Sequence, residues 1–225
     1  MEIDLNYVDV GRGQSLVLLH GNGEDLTYFT HQIEYFKHTY RVIAIDTRGH
    51  GKSPRGQAPF TIRQFADDLY VFFQDHQIEK AHILGFSDGG NIAMLFALKY
   101  PQCVNRLILN GSNLNPSGVK AIYQLPITGI YKLLHLFAPI SKKAEQRTEM
   151  FALMVNDPNV NPSELASIQV KTLVIVGTKD MIKKEHTELI YASLPNASLE
   201  FIEGNHFIAN KEYEVFNKKV EEFLK

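Results

Sequence analysis

Six short runs of nearly uninterrupted apolar character recur along the chain: Ser15–Leu19, Arg41–Ile45, Ala81–Leu84, Val104–Leu109, Thr172–Val176 and Ser198–Ile202. A run without polar alternation has no face to offer solvent, so each reads as a strand covered on both sides. Between the runs the apolar spacing becomes helical, as in Phe29, Ile33 and Phe36, then Ile62, Phe65, Leu69 and Phe72, and near the carboxyl end Tyr213, Phe216, Val220 and Phe223. Thr61 and Gln64 form a capping-box pattern ahead of the second of these helices, and Pro101 closes a helix that begins after Ser87. Alternation of this kind predicts an α/β fold, a mostly parallel sheet with helices on both faces. With 225 residues, 14 of them Phe and 10 Tyr, the chain has ample material for such a core.

One stretch breaks the rhythm. Residues 113–169 hold no strand pattern, while Ile130–Phe137 and Ala144–Val155 read as short amphipathic helices. So few residues are a poor basis for an independent core, which predicts a single domain over 1–225 carrying a helical insertion at 113–169.

Composition excludes several function classes. A net charge of -2 with no basic block offers nothing to neutralise nucleic-acid phosphates or an anionic membrane surface. No apolar stretch reaches the roughly 18 to 20 residues of a membrane span. The lone Cys103 cannot form an internal disulfide, and the acidic residues of MEIDLNYVDV stand where a signal peptide would be basic and then apolar, so a cytoplasmic location is expected. His20-Gly21-Asn22-Gly23 fails as a dinucleotide fingerprint because Leu26 occupies the place of its last glycine. Gly51-Lys52-Ser53 fails as a phosphate loop because Asp46 stands where its first glycine belongs. The nine histidines show no metal-ligand spacing. The expectation is therefore no cofactor, no metal, and a small-molecule substrate; the sequence does not distinguish a monomer from a homodimer.

The chemistry lies in Gly85-Phe86-Ser87-Asp88-Gly89-Gly90. It matches G-x-S-x-G, which places a serine on a sharp strand-to-helix turn where flanking side chains would collide, and it has the required strand before it and helix after it. A serine hydroxyl needs a base to remove its proton, and the base needs a third group to hold its tautomer. Asp180 follows the fifth run and His206 the sixth, so both should emerge at the same sheet edge as Ser87, in the chain order serine, acid, histidine. Two readings of Asp180 stay open here: the acid of this set, or the cap of a helix beginning near Lys183. Asp157, within the insertion, is the weaker alternative acid. His20 and His82 suit structural hydrogen bonds, and Asp46 and Arg48 suit loop organisation.

These motifs resemble the α/β-hydrolase superfamily. Besides the serine turn, His20-Gly21-Asn22-Gly23 resembles its oxyanion loop and Asp46-Thr47-Arg48-Gly49-His50-Gly51-Lys52-Ser53 its D-x-R-G-x-G-x-S segment. The resemblance spans the chain apart from the insertion. It implies an eight-stranded, mostly parallel sheet, a helical lid at about 113–169, and an oxyanion hole made by the backbone N–H groups of Asn22 and Asp88. Serine at the turn speaks against the carboxylate-nucleophile dehalogenases and epoxide hydrolases. It leaves esterases, thioesterases, lipases, amidases, C–C bond hydrolases and acyltransferases open.

An apolar insertion without a cationic cluster favours a small or medium ester with an apolar acyl group. Tyr28, Phe86, Tyr123, Tyr131, Phe137, Phe151, Met154 and Phe207 are the pocket candidates. A ligand-sensing protein of this fold with slow turnover is the alternative from another class.

Overall fold

The computed structural model describes residues 3–225; Met1 and Glu2, on which the N-terminal reading partly rests, lie outside the described residues. Seven strands are present among them: β1 (Tyr7–Gly11), β2 (Ser15–Leu19), β3 (Arg41–Ile45), β4 (Ala81–Phe86), β5 (Val104–Asn110), β6 (Lys171–Gly177) and β7 (Ala197–Ile202). They form one sheet in the order β1-β3-β2-β4-β5-β6-β7, parallel throughout except for β1, which runs antiparallel to β3.

The central strands β2 to β6 are buried on both faces, and β2 shows why. Leu16 and Leu18 pack with Phe29, Phe36, Phe216 and Val220, whereas Val17 and Leu19 pack with Ile62, Phe65, Phe73 and Phe96. Successive side chains point to opposite faces, so a strand with helices on both sides must be apolar at every position. Helices α1 (Thr30–Phe36) and α8 (Tyr213–Leu224) cover one face, and α2 (Ile62–Asp75), α3 (Asp88–Lys99) and α6 (Lys184–Ser193) the other. The short α7 (Ile208–Lys211) sits ahead of α8, while α4 (Ala121–Phe137) and α5 (Lys142–Asn156) fill the stretch between β5 and β6.

Three expectations are corrected. The sheet has seven described strands rather than eight, because the described residues before β1 add no strand to it. Ile3 and Leu5 turn into the core, and Asn6 spends its N–H on Ser53 Oγ (2.8 Å) and its side chain on Asp46 Oδ2 (2.8 Å). The helix read at Ile130–Phe137 begins nine residues earlier and runs through Pro126. Thr61 does cap α2, accepting from the Gln64 N–H at 3.2 Å, but the Gln64 amide donates to Asp68 Oδ1 (3.0 Å), so only half of the capping box forms.

Candidate active site

Every loop that bears on the site leaves the sheet at the carboxyl ends of its parallel strands, where ligands of such sheets gather. Ser87 follows β4 and adopts φ 53, ψ -119. This is a strained conformation for a side-chain-bearing residue, and it lifts the hydroxyl clear of the turn. The strain persists because its surroundings leave no alternative: a Cβ on Gly89 would overlap the Leu19 carbonyl oxygen. The Ser87 N–H donates to the Asn110 carbonyl of β5 (2.8 Å), pinning the turn to the neighbouring strand.

The loops after β6 and β7 complete a hydrogen-bonded chain. His206 Nε2 lies 3.0 Å from Ser87 Oγ and His206 Nδ1 lies 2.8 Å from Asp180 Oδ1. A carboxylate only accepts, so Nδ1 carries the proton and Nε2 is left to accept from the serine hydroxyl. Asp180 Oδ1 also accepts from the Ile182 N–H (2.8 Å), and α6 begins after Lys183 without a side-chain cap, which removes the helix-capping reading of Asp180. Gly111 lets the imidazole in: at φ +62, a Cβ there would come within 2.8 Å of the His206 ring. Asp157 stands apart, accepting from the Ile62 N–H at 3.3 Å.

Across the serine, neither the Asn22 nor the Asp88 N–H has a hydrogen-bond acceptor among the described residues. Asp88 opens α3, where the first N–H groups of a helix are free. The Asn22 side chain donates to the Met150 carbonyl of α5 (2.8 Å), which ties its loop to the helical segment above. Behind that loop His20 accepts from the Thr47 N–H through Nε2 (3.0 Å) and donates from Nδ1 to the Gly21 carbonyl (2.7 Å); burial lowers it to about 4, so it is a neutral strut. Asp46 accepts from the N–H groups of Leu26 (2.7 Å) and Lys52 (2.9 Å).

A cavity of about 190 Å³ opens above Ser87 and His206. Besides Ser87 and His206, its polar lining is acidic or amide, with Glu24, Asp88, Asp157, Asn22, Asn113 and Gln124, and holds no lysine or arginine. Burial pushes Glu24 up to about 7 and Asp88 to about 6, and raises Asp157.

A profile of the alpha/beta hydrolase fold family matches residues 14–129, and a serine hydrolase family matches residues 73–217. The chain belongs to the α/β-hydrolase fold family. This α/β-hydrolase is 26% identical to 3-oxoadipate enol-lactonase 2 of Acinetobacter baylyi, over its whole length and 94% of that protein. It is 30% identical to a 2-hydroxy-6-oxononadienedioate/2-hydroxy-6-oxononatrienedioate hydrolase of Burkholderia vietnamiensis, over its whole length and 92% of that protein. Among solved structures, a meta-cleavage product hydrolase from Pseudomonas fluorescens IP01 superposes with a TM-score of 0.81 at 25% identity, covering 99% of this chain and 94% of that one. The chain is thus an enzyme of the hydrolase class.

The pocket candidates of this α/β-hydrolase divide into two groups. Phe86, Met154 and Phe207 line the cavity. Tyr28 lies behind the wall, stacked on Phe86 with ring centroids 4.3 Å apart. Tyr123 and Phe137 point away on the exposed side of α4, Tyr131 stacks on His135 a turn beyond the lining residues Gln124 and Ile127, and Phe151 sits almost a turn before Met154 on α5. The helical phase, which aromatic content alone does not reveal, decides which of them reach the site. Glu24, Asn113, Gln124, Ile127 and Met181 were missed; of these only Glu24, three residues after Gly21 in the oxyanion-loop motif, carried a local signal.

Proposed function

We propose that this hydrolase is a serine esterase acting on a small, uncharged carboxylic ester, with residues 113–169 as a helical lid on a single domain. The observation that carries the reading is the unbroken chain from Ser87 Oγ through His206 to Asp180 at the floor of the cavity. Ser87 Oγ attacks the ester carbonyl carbon while His206 Nε2 takes its proton, and Asp180 holds the resulting imidazolium through Nδ1–H. The carbonyl oxygen, now an oxyanion, receives hydrogen bonds from the Asn22 and Asp88 N–H groups, which need no reorientation to meet it. His206 returns its proton to the leaving alkoxide, and the C–O bond breaks. Water, deprotonated by the same imidazole, then attacks the acyl-enzyme and releases the acid and free Ser87.

The cavity supports the choice of substrate. Its volume lies below the roughly 300 to 1,000 Å³ typical of drug-sized ligand sites, which favours a small acyl group. The Burkholderia relative is named for dioates, whose two carboxylates would call for cationic partners. Here, beyond Ser87 and His206, the polar lining is Glu24, Asp88, Asp157 and amides, so the pair of carboxylates would find no cation to replace its lost hydration. Cleavage of a carbon–carbon bond remains the second reading, favoured by the 30% identity to that relative.

Turnover of p-nitrophenyl esters from acetate to octanoate, with fluorophosphonate labelling of wild type and Ser87→Ala, tests the proposal. The expected result is labelling and turnover on the short esters that both vanish in the variant. Labelling without turnover on any ester, together with cleavage of a ring-opened dienone, would replace the esterase reading with the carbon–carbon one. Labelling without turnover on either substrate class would instead favour a sensor.

A further inference from the structure

The helix that roofs the cavity has a second face with no partner. None of the 17 residues of α4 is buried, although the helix is apolar nearly all round. Its inner side is accounted for: Gln124 and Ile127 line the cavity, and the Gln124 amide donates to the Met154 carbonyl of α5 at 3.1 Å. The outer side is a stripe of Ile122, Leu125, Leu133, Leu136 and Ile140, the last in the turn that follows the helix. Their spacing keeps them on one face. Ile122, Leu125, Leu136 and Ile140 are 71% to 82% exposed. A contiguous apolar face of this kind marks an interaction surface.

Charge decides what covers it. Residues 113–144 contain Lys120, Lys132, Lys142 and Lys143 and no aspartate or glutamate, in a chain whose net charge is -2. Lys120 is committed to the Asp180 carbonyl (2.5 Å), while Lys132 on α4 and Lys142 and Lys143, which follow Ile140 at the start of α5, are exposed. A second copy docked face to face would bring Lys132 against Lys132 with no acid on α4 to pair it, Glu145 lying beyond Lys142 and Lys143 on α5, which is unfavourable at an interface. An anionic lipid surface fits both features, taking the apolar side chains to the level of the acyl chains and the lysines at the headgroups. Tyr123 and Phe137, exposed near either end of the helix, suit the interfacial zone where aromatic rings settle.

We propose that the outer face of α4, continued through Ile140, docks in the plane of an anionic phospholipid surface. Whole-chain charge, which argued against an anionic membrane, averages this segment away, and its lysines are spread from 120 to 143 so that no run of the insertion reads as a cationic cluster. Because the inner face of the same helix lines the cavity, docking would set the entrance beside the lipid.

The test is flotation of the intact protein with phosphatidylglycerol/phosphatidylcholine vesicles and with pure phosphatidylcholine vesicles, for wild type and a Leu125→Glu/Leu133→Glu/Leu136→Glu variant. These exposed side chains lie outside the cavity, so the circular dichroism melt and turnover of a soluble ester should not change. Wild type should float with the anionic vesicles at least tenfold more than with neutral ones, and the variant should lose that binding by at least tenfold. No flotation of wild type, or flotation indifferent to the glutamates, overturns the proposal. So does a wild-type dimer in light scattering that the variant converts to monomer, which would assign the face to a second copy.

Discussion

At Asp180 one oxygen serves two donors, the His206 Nδ1–H and the Ile182 N–H, while Oδ2 has no hydrogen-bond partner among the described residues. The side chain therefore holds both the orientation of the imidazole and the tautomer that leaves Nε2 free to accept. Asp180→Asn keeps the size but can rotate to present its amide N–H to Nδ1, which would then accept and place the proton on Nε2. We expect kcat on a short p-nitrophenyl ester to fall by about 10³ to 10⁴, with KM changing far less, as measured by steady-state kinetics. Ser87, Asp180 and His206 were legible in the sequence because each follows a strand in a loop whose exit point the parallel topology dictates. Gly111 was not, since it matters only through a group far along the chain, the ring of His206.

The loop after β3 is held by an ion pair rather than by regular structure. Arg48 Nε and Nη2 donate to both oxygens of Asp68 on α2 (2.7 and 2.6 Å), and Nη1 donates to the Arg55 carbonyl (3.0 Å), with the Arg48 side chain fully buried. Removing one member of such a pair leaves an unpaired charge in the interior. Arg48→Met should accordingly cost about 3 to 5 kcal/mol in urea unfolding. Adding Asp68→Leu removes the orphaned carboxylate, so the double variant should recover much of the loss. Secondary elements were legible where period and burial agree, as in β2 and β3, whose bounds match the apolar runs. β1 was not, because it is an edge strand half exposed at every second residue, with only Tyr7, Val8 and Val10 to mark it. Half of α4 was lost for another reason: Pro126 is costly inside a helix, yet it lies in the second turn of one fixed by tertiary contact with α5.

Over the whole molecule, buried titratable groups fall into two opposed sets. Burial lowers His20 and His82 to about 4 and also lowers His50 and His186, while it lifts Glu24 to about 7, Asp88 to about 6 and Asp157 above its usual range. Below the ordinary histidine value of 6.5 the unfolded chain takes up protons that the folded histidines refuse, so their contribution falls as pH drops from 6.5 towards 4. The carboxylates act in reverse. Between their ordinary values, 3.8 and 4.5, and their raised ones the folded chain keeps protons that the unfolded chain releases, so their contribution falls as pH rises through the same interval. The sets offset each other, and wild-type stability in urea should change little between pH 4.5 and 6.5. Glu24→Gln/Asp88→Asn deletes most of the acidic set and leaves the histidines. Its stability should therefore rise with pH across that window, by on the order of 1 kcal/mol per unit once solvent screening is allowed for, and should exceed that of wild type at pH 8. Parallel profiles for the two proteins would mean that these carboxylates are solvated in the folded state and ionise at their ordinary values.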